Sequence, residues 1–235
     1  MSSILNNIHK NSLFIIISQV VNKVAGFLAV YVLARYLSVE DYGTYNLIVG
    51  SLIVSSFFTN FGLASSLQRF LPEYARFENN EQIVNTVLFG QIFRAVTGIM
   101  FCAVTIGFFP SFSVFFKIEG YYTEYILFCI ASYFFFQIEY LLISCIATFH
   151  HKYSTISQTC FLLLRVFLIL LFLLNGYGLK YVFISEIISY FVGFLILEFY
   201  FINEYKIKLA TLRNISFKNL EWKRITKFSA FSALT

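Results

Sequence analysis

A chain of 235 residues with 59% hydrophobic side chains, 12% charged ones and a mean hydropathy of +0.76 is not a soluble domain, where about a quarter of residues carry charge. The net charge of +5 is no nucleic-acid signature, because the basic residues fall mostly in connections on one side of six apolar stretches. Cys102, Cys129, Cys145 and Cys160 show no CxxC or Cys/His spacing, and the adjacent His150 and His151 lack the i, i+4 spacing of a helical metal pair, so no metal or cofactor is expected.

A transmembrane helix needs about 20 apolar residues, and the sequence supplies six such stretches, at 12–34, 43–66, 84–109, 122–147, 155–174 and 179–201. The fold class is therefore all-α membrane protein. The first stretch is too long for a signal peptide and no A-x-A site follows it, so it is read as a retained anchor. On it Gln19, Asn22, Lys23 and Gly26 form an i, i+3, i+4, i+7 stripe. Arg35, Asp41 and Gly43 occupy the first turn. Arg35 can snorkel to headgroups, Asp41 is placed to cap the second helix, and Gly43 to turn the chain into it.

The second span carries Ser51, Ser55, Thr59 and Gly62, a ridge of small residues suited to close packing. The connection after it holds Arg69 and Pro72, where proline would stop or kink a helix. These loop positions (Arg35, Asp41, Gly43, Gly62, Arg69, Pro72) read as structural or gating residues rather than substrate contacts. Span three groups Gln91, Arg94 and Gly98. Span four places Ser132 seven residues before Glu139, span five Gln158 seven before Arg165. Span six aligns Ser185, Glu186, Ser189 and Gly193.

With the N-terminus in the cytoplasm, the inner side holds Lys10, Arg69, Arg76, Lys152, Lys206, Lys208, Arg213, Lys218, Lys223, Arg224 and Lys227, against Arg35, Lys117 and Lys180 outside. That excess is the positive-inside pattern. Residues 202–226 form a basic cytoplasmic linker. Residues 227–235 read as the start of a truncated seventh helix, since a basic stretch runs into an apolar one just as at Lys10–Phe14. An amphipathic tail on the inner leaflet is the other reading.

A charge inside a membrane span costs at least about 2.5–3.5 kcal/mol, so Lys23, Arg94, Glu139, Arg165 and Glu186 need a reason to be there. Lys23, Arg94 and Arg165 each lie about 15 Å above the inner end of an upward-running span, near the midplane. One reading ties each cation to Glu139 or Glu186 as an internal strut. The other uses them as ligands, because two carboxylates cannot neutralise three cations, and arginine suits phosphate. On that reading Lys23, Arg94, Arg165, Gln19, Asn22 and Gln91 bind an anionic substrate, while Glu139 and Glu186 couple movement to an ion gradient.

The segments Arg35-Tyr-Leu-Ser-Val-Glu-Asp41-Tyr-Gly43-Thr-Tyr45-Asn46 and Asn60-Phe-Gly62-Leu, with the six-span spacing, closely resemble the polysaccharide biosynthesis/export family. These are Wzx-type O-antigen and capsule repeat-unit flippases of the MATE/MOP superfamily. The resemblance implies one six-helix lobe of a MATE/MurJ-like fold, with the start of a seventh helix, around a cationic cavity. It implies passage of an undecaprenyl-pyrophosphate-linked oligosaccharide across the bacterial cytoplasmic (inner) membrane by alternating access. Coupling to H+ or Na+ is expected only from the carboxylates Glu139 and Glu186 in the spans, and no other cofactor is expected.

The chain holds about one lobe, so the partners implied are a second six-helix half, polysaccharide polymerase or export proteins, and membrane lipids. A multidrug-type exporter of the same superfamily would want carboxylates and aromatics in its cavity, and three cations against two acids argue against it. An enzyme would need a catalytic group in a sizeable loop, which the short outer loops lack. A non-transport assembly partner in a saccharide-export complex remains an alternative.

Overall fold

The computed structural model describes residues 2–60 and 62–206, and the side chains of 15–50, 60 and 62–206. The start of the seventh helix, most of the basic linker, and the Ser51, Ser55 and Thr59 ridge therefore lie outside what is described. Among the described residues seven α-helices follow one another: α1 Ser2–Tyr36, α2 Val39–Asn60, α3 Leu63–Arg76, α4 Asn80–Phe116, α5 Tyr122–Ala147, α6 His151–Leu174 and α7 Leu179–Glu204. A short 3-10 turn, Glu119–Tyr121, leads into α5, and no strand occurs among the described residues.

Among the described residues, five stretches are long and apolar enough to cross a membrane: Ile15–Tyr36, Asn80–Phe116, Glu119–Ala147, His151–Leu174 and Leu179–Glu204. The 22 residues of α2 give about 33 Å, also enough for a crossing. The expected spans thus reappear as α1, α2, α4, α5, α6 and α7.

Several boundaries differ from the sequence reading, and the main differences have local reasons. The second span does not run to 66. It stops at Asn60, and Gly62 adopts φ 71, a left-handed turn that costs glycine nothing. Asn60 Oδ1 accepts the Ala64 N–H at 3.1 Å, so the Asn-x-Gly pair makes a corner from which α3 departs. The connection expected after span two is largely this helix. Leu63, Leu67, Phe70, Leu71 and Tyr74 are its buried stripe against α4 and α5, while Gln68, Arg69 and Arg76 are exposed.

Pro72 lies inside α3 rather than in a loop. The carbonyl it leaves without a helical N–H belongs to exposed Gln68, where water can serve it. The third span likewise continues through Pro110 to Phe116, and Phe112 packs on Tyr125 with ring centroids 5.7 Å apart. Finally, Ser38 rather than Asp41 caps α2, its Oγ accepting the Asp41 N–H at 3.0 Å. Asp41 instead accepts the Tyr121 hydroxyl at 3.0 Å, and Gly43 falls within the helix, facing open space.

The helices pack in a chain of neighbours: α1 on α6, α6 on α7, α7 on α5, and α5 on α4, with α2 touching α1, α4, α5 and α7. Two apolar cores result. One, toward the end of the bundle where α1 begins, gathers Leu71, Val87, Leu141, Phe161 and Leu197. The other, toward the opposite end, gathers Leu33, Ile48, Phe109, Phe128, Ile169 and Phe183. The polar residues fall between them along the chain. Arg165 lies between Phe161 and Ile169, Glu186 between Phe183 and Tyr190, and Arg94 between Val87 and Phe109.

Candidate functional site in the bundle

The layer between the two cores holds two ion pairs. Arg94 on α4 is wholly buried, and its Nη2 donates to Glu139 Oε2 on α5 at 2.8 Å. Glycines flank the arginine one helical turn to each side. A Cβ at Gly90 would collide with the Tyr140 side chain, and one at Gly98 would touch Tyr133 at 3.4 Å. This close approach lets the guanidinium lie 5.8 Å from the Phe136 ring centroid and 5.9 Å from that of Tyr140, within cation–π range. Its Nε and Nη1 are buried with no hydrogen-bond partner among the described residues, and the same is true of both amide atoms of Gln137.

The second pair is a triangle. Arg165 Nη2 on α6 donates to Glu186 Oε1 on α7 at 2.6 Å and to the Tyr45 hydroxyl on α2 at 2.7 Å. Tyr45 in turn donates to Glu186 Oε1 at 2.7 Å. Glu186 is 3% exposed, so it is neutralised by a nearly dry contact. The stripe read on span six is real: Ser185, Glu186, Ser189 and Gly193 all face inward. Gly193 lets α6 approach, and its carbonyl accepts the Ser157 hydroxyl at 3.0 Å.

The residues expected to bind substrate therefore divide. Arg94 and Arg165 are held in separate ion pairs, as in the strut reading. Lys23 is exposed on α1 beside exposed Gln19, and has no ion-pair partner among the described residues. Asn22, one position away, is 7% exposed and neither of its amide atoms has a partner among the described residues. Gln91 donates to Glu198 on α7. Glu139 and Glu186, expected to couple an ion, are each engaged by a guanidinium. Of the remaining positions, Arg35 and Arg69 are exposed.

Two participants escaped the sequence reading. Glu198 sits in the apolar run Phe194–Ile202, and the rule that singled out five other intramembrane charges picks it out as well. Tyr45 closes the motif that begins at Arg35, and its role shows only once α2, α6 and α7 are brought together.

At the end of the bundle where α1 begins, a cleft of about 270 Å³ is lined by Glu78, Asn80, Thr148, His150, Glu204 and Tyr205, among others. His150 Nε2 lies 3.4 Å from Glu204 Oε1. Burial pushes the Tyr205 phenol above its usual pKa, with the Thr148 hydroxyl opposing.

Helices of this length, with ion pairs held between them, define a multi-pass helical membrane protein. Residues 8–235 match the polysaccharide biosynthesis protein family, and the chain belongs to that family. It is a family of transporters and flippases in polysaccharide export, which is not an enzyme class. No curated protein and no solved structure matches the chain.

Proposed function

We propose that the chain moves an undecaprenyl-pyrophosphate-linked oligosaccharide repeat unit from the inner to the outer leaflet of the bacterial cytoplasmic membrane, by alternating access, as half of a longer transporter. The observation that carries this reading is Lys23. Of the three intramembrane cations it alone lacks an acid among the described residues, and it stands on an open helix face beside Gln19. A bare ammonium on that face attracts a diphosphate, and Gln19 adds a donor for the sugar or phosphate oxygens.

Arg94 adds two buried donor nitrogens not used by Glu139. Its bond to Glu139 can loosen when an anion competes for the guanidinium, so it serves the site after α4 and α5 shift. Membership in a polysaccharide-export family supports the saccharide, and the excess of cytoplasmic Lys and Arg supports an N-terminus inside.

The test is complementation of surface polysaccharide in a flippase-deficient strain with the full-length transporter. A lost charge–phosphate contact is worth about 1.5–3 kcal/mol, so Lys23→Gln should lower export about tenfold or more while Lys23→Arg retains it. Because Lys23 is exposed, the substitution leaves the packing alone. Export by Lys23→Gln at the wild-type rate would end the proposal that this face receives the diphosphate.

A further inference from the structure

We propose that Glu198 is a proton-binding site within the bundle, with Gln91 as a partner that serves both of its protonation states. Three carboxylates lie in the described spans well away from the helix ends: Glu139, Glu186 and Glu198. Two are poor proton carriers. Protonating Glu139 or Glu186 would strand a buried guanidinium at 2.8 or 2.6 Å without its counter-charge. The partner of Glu198 is an amide instead.

An amide is an uncharged side-chain group that offers a donor and an acceptor in the same plane. Gln91 Nε2 donates to the Glu198 carboxylate. Its Oε1 is buried and has no partner among the described residues. When Glu198 takes a proton from water and becomes the carboxylic acid, the amide turns over and Oε1 accepts the new O–H. The proton is the only species transferred, and no buried polar group is left worse off. A hard cation takes about six oxygen ligands, more than one carboxylate and one amide oxygen provide, so the ligand is a proton rather than a metal ion.

The groups around it leave Glu198 without a counter-ion among the described residues. On α4, Arg94 is engaged by Glu139 of α5. Also on α5, Tyr140 donates to the Thr86 carbonyl, and Cys145 is buried. On α6, Arg165 turns to Glu186, Tyr153 stacks on Tyr200 at 3.7 Å, and Lys152 is exposed at the helix start. On α7 itself Glu204 pairs with His150, and Lys206 is exposed just beyond the helix. Tyr45 of α2 is committed to Glu186. Glu204 also lines the cleft described above, about 9 Å along α7 from Glu198, which gives protons an aqueous approach.

The experiment is infrared difference spectroscopy of the full chain in lipid nanodiscs, stepped between alkaline and acid buffer. The wild type should show the carbonyl stretch of a carboxylic acid appearing on acidification. The band should be lost in Glu198→Gln and kept in Glu139→Gln. In Gln91→Leu it should shift in frequency, because the acid loses its acceptor. Persistence of the band in a folded Glu198→Gln variant overturns the proposal, as does its displacement by sodium at constant pH in the wild type. Use of this proton to drive transport rests on the function proposed above, and is read separately in vesicles carrying a pH gradient. A wild type that shows the band and moves no lipid-linked saccharide ends the transport reading while the proton site stands.

Discussion

Arg165 and Glu186 meet at 2.6 Å with the Tyr45 hydroxyl bonded to both, so a single charged contact joins three helices between two apolar cores. The contact ties α6 to α7 and to α2. Removing one partner leaves the other charge uncompensated, which costs about 3–5 kcal/mol in a buried pair. Glu186→Leu should therefore lower the melting temperature of the detergent-purified protein sharply. The double variant Arg165→Met/Glu186→Leu should be less damaged than either single one. A double variant as unstable as the sum of the two singles would show that the charges do not compensate each other.

The close contact of α4 and α5 depends on Gly90. A methyl group there meets the Tyr140 side chain, and overpacking of that kind costs about 1–3 kcal/mol. Gly90→Ala should destabilise the protein and weaken the Arg94–Glu139 pair, with partial rescue by Tyr140→Leu. Gly26 is the control, since a Cβ there meets nothing within 4 Å and Ala is the better helix former. Thermal unfolding of both variants checks this, and equal effects would remove the packing role given to Gly90.

The corner between α2 and α3 rests on Gly62 at φ 71 and on the Asn60 side chain. A residue with a branched Cβ is strained there by about 1–2 kcal/mol. Gly62→Val should therefore lower stability, while Gly62→Asn, which tolerates the left-handed region, should be milder. Asn60→Ala should cost about 1 kcal/mol through the lost cap. Proteolysis at the corner, compared across the three variants, ranks them.

What could be read in the sequence follows from what is local. The spans were legible because apolar length alone sets them, and the inward stripe Ser185–Glu186–Ser189–Gly193 because helical period sets it. The family motif was legible too, including Tyr45, but not its bond to Glu186, which lies 141 residues away. The pairing of Arg94 with Glu139 depends on which helices become neighbours, and a list of charges cannot show that. The helix α3 is amphipathic rather than apolar, so apolar length does not mark it, and Pro72 lies inside it because an exposed helix face accommodates the lost hydrogen bond. Glu198 was within reach of the same rule that found Glu186.

Whether the open face of α1 is wet decides what Lys23 can do. Maleimides react with the thiolate, which forms in water and not among acyl chains. In a background where Cys102, Cys129, Cys145 and Cys160 are replaced, Gln19→Cys and Lys23→Cys should react with a charged, membrane-impermeant maleimide. Ala25→Cys and Ala29→Cys, at positions 2% exposed in the seam against α6, should not react. A diphosphate-bearing lipid analogue should then slow labelling at 19, where Lys23 is kept on the same helical face, and not at 23, where the ammonium is lost. Silence at both positions, with labelling restored once the protein is denatured in detergent, would mean that α1 presents Lys23 to lipid, and the diphosphate would have to be received elsewhere in the transporter.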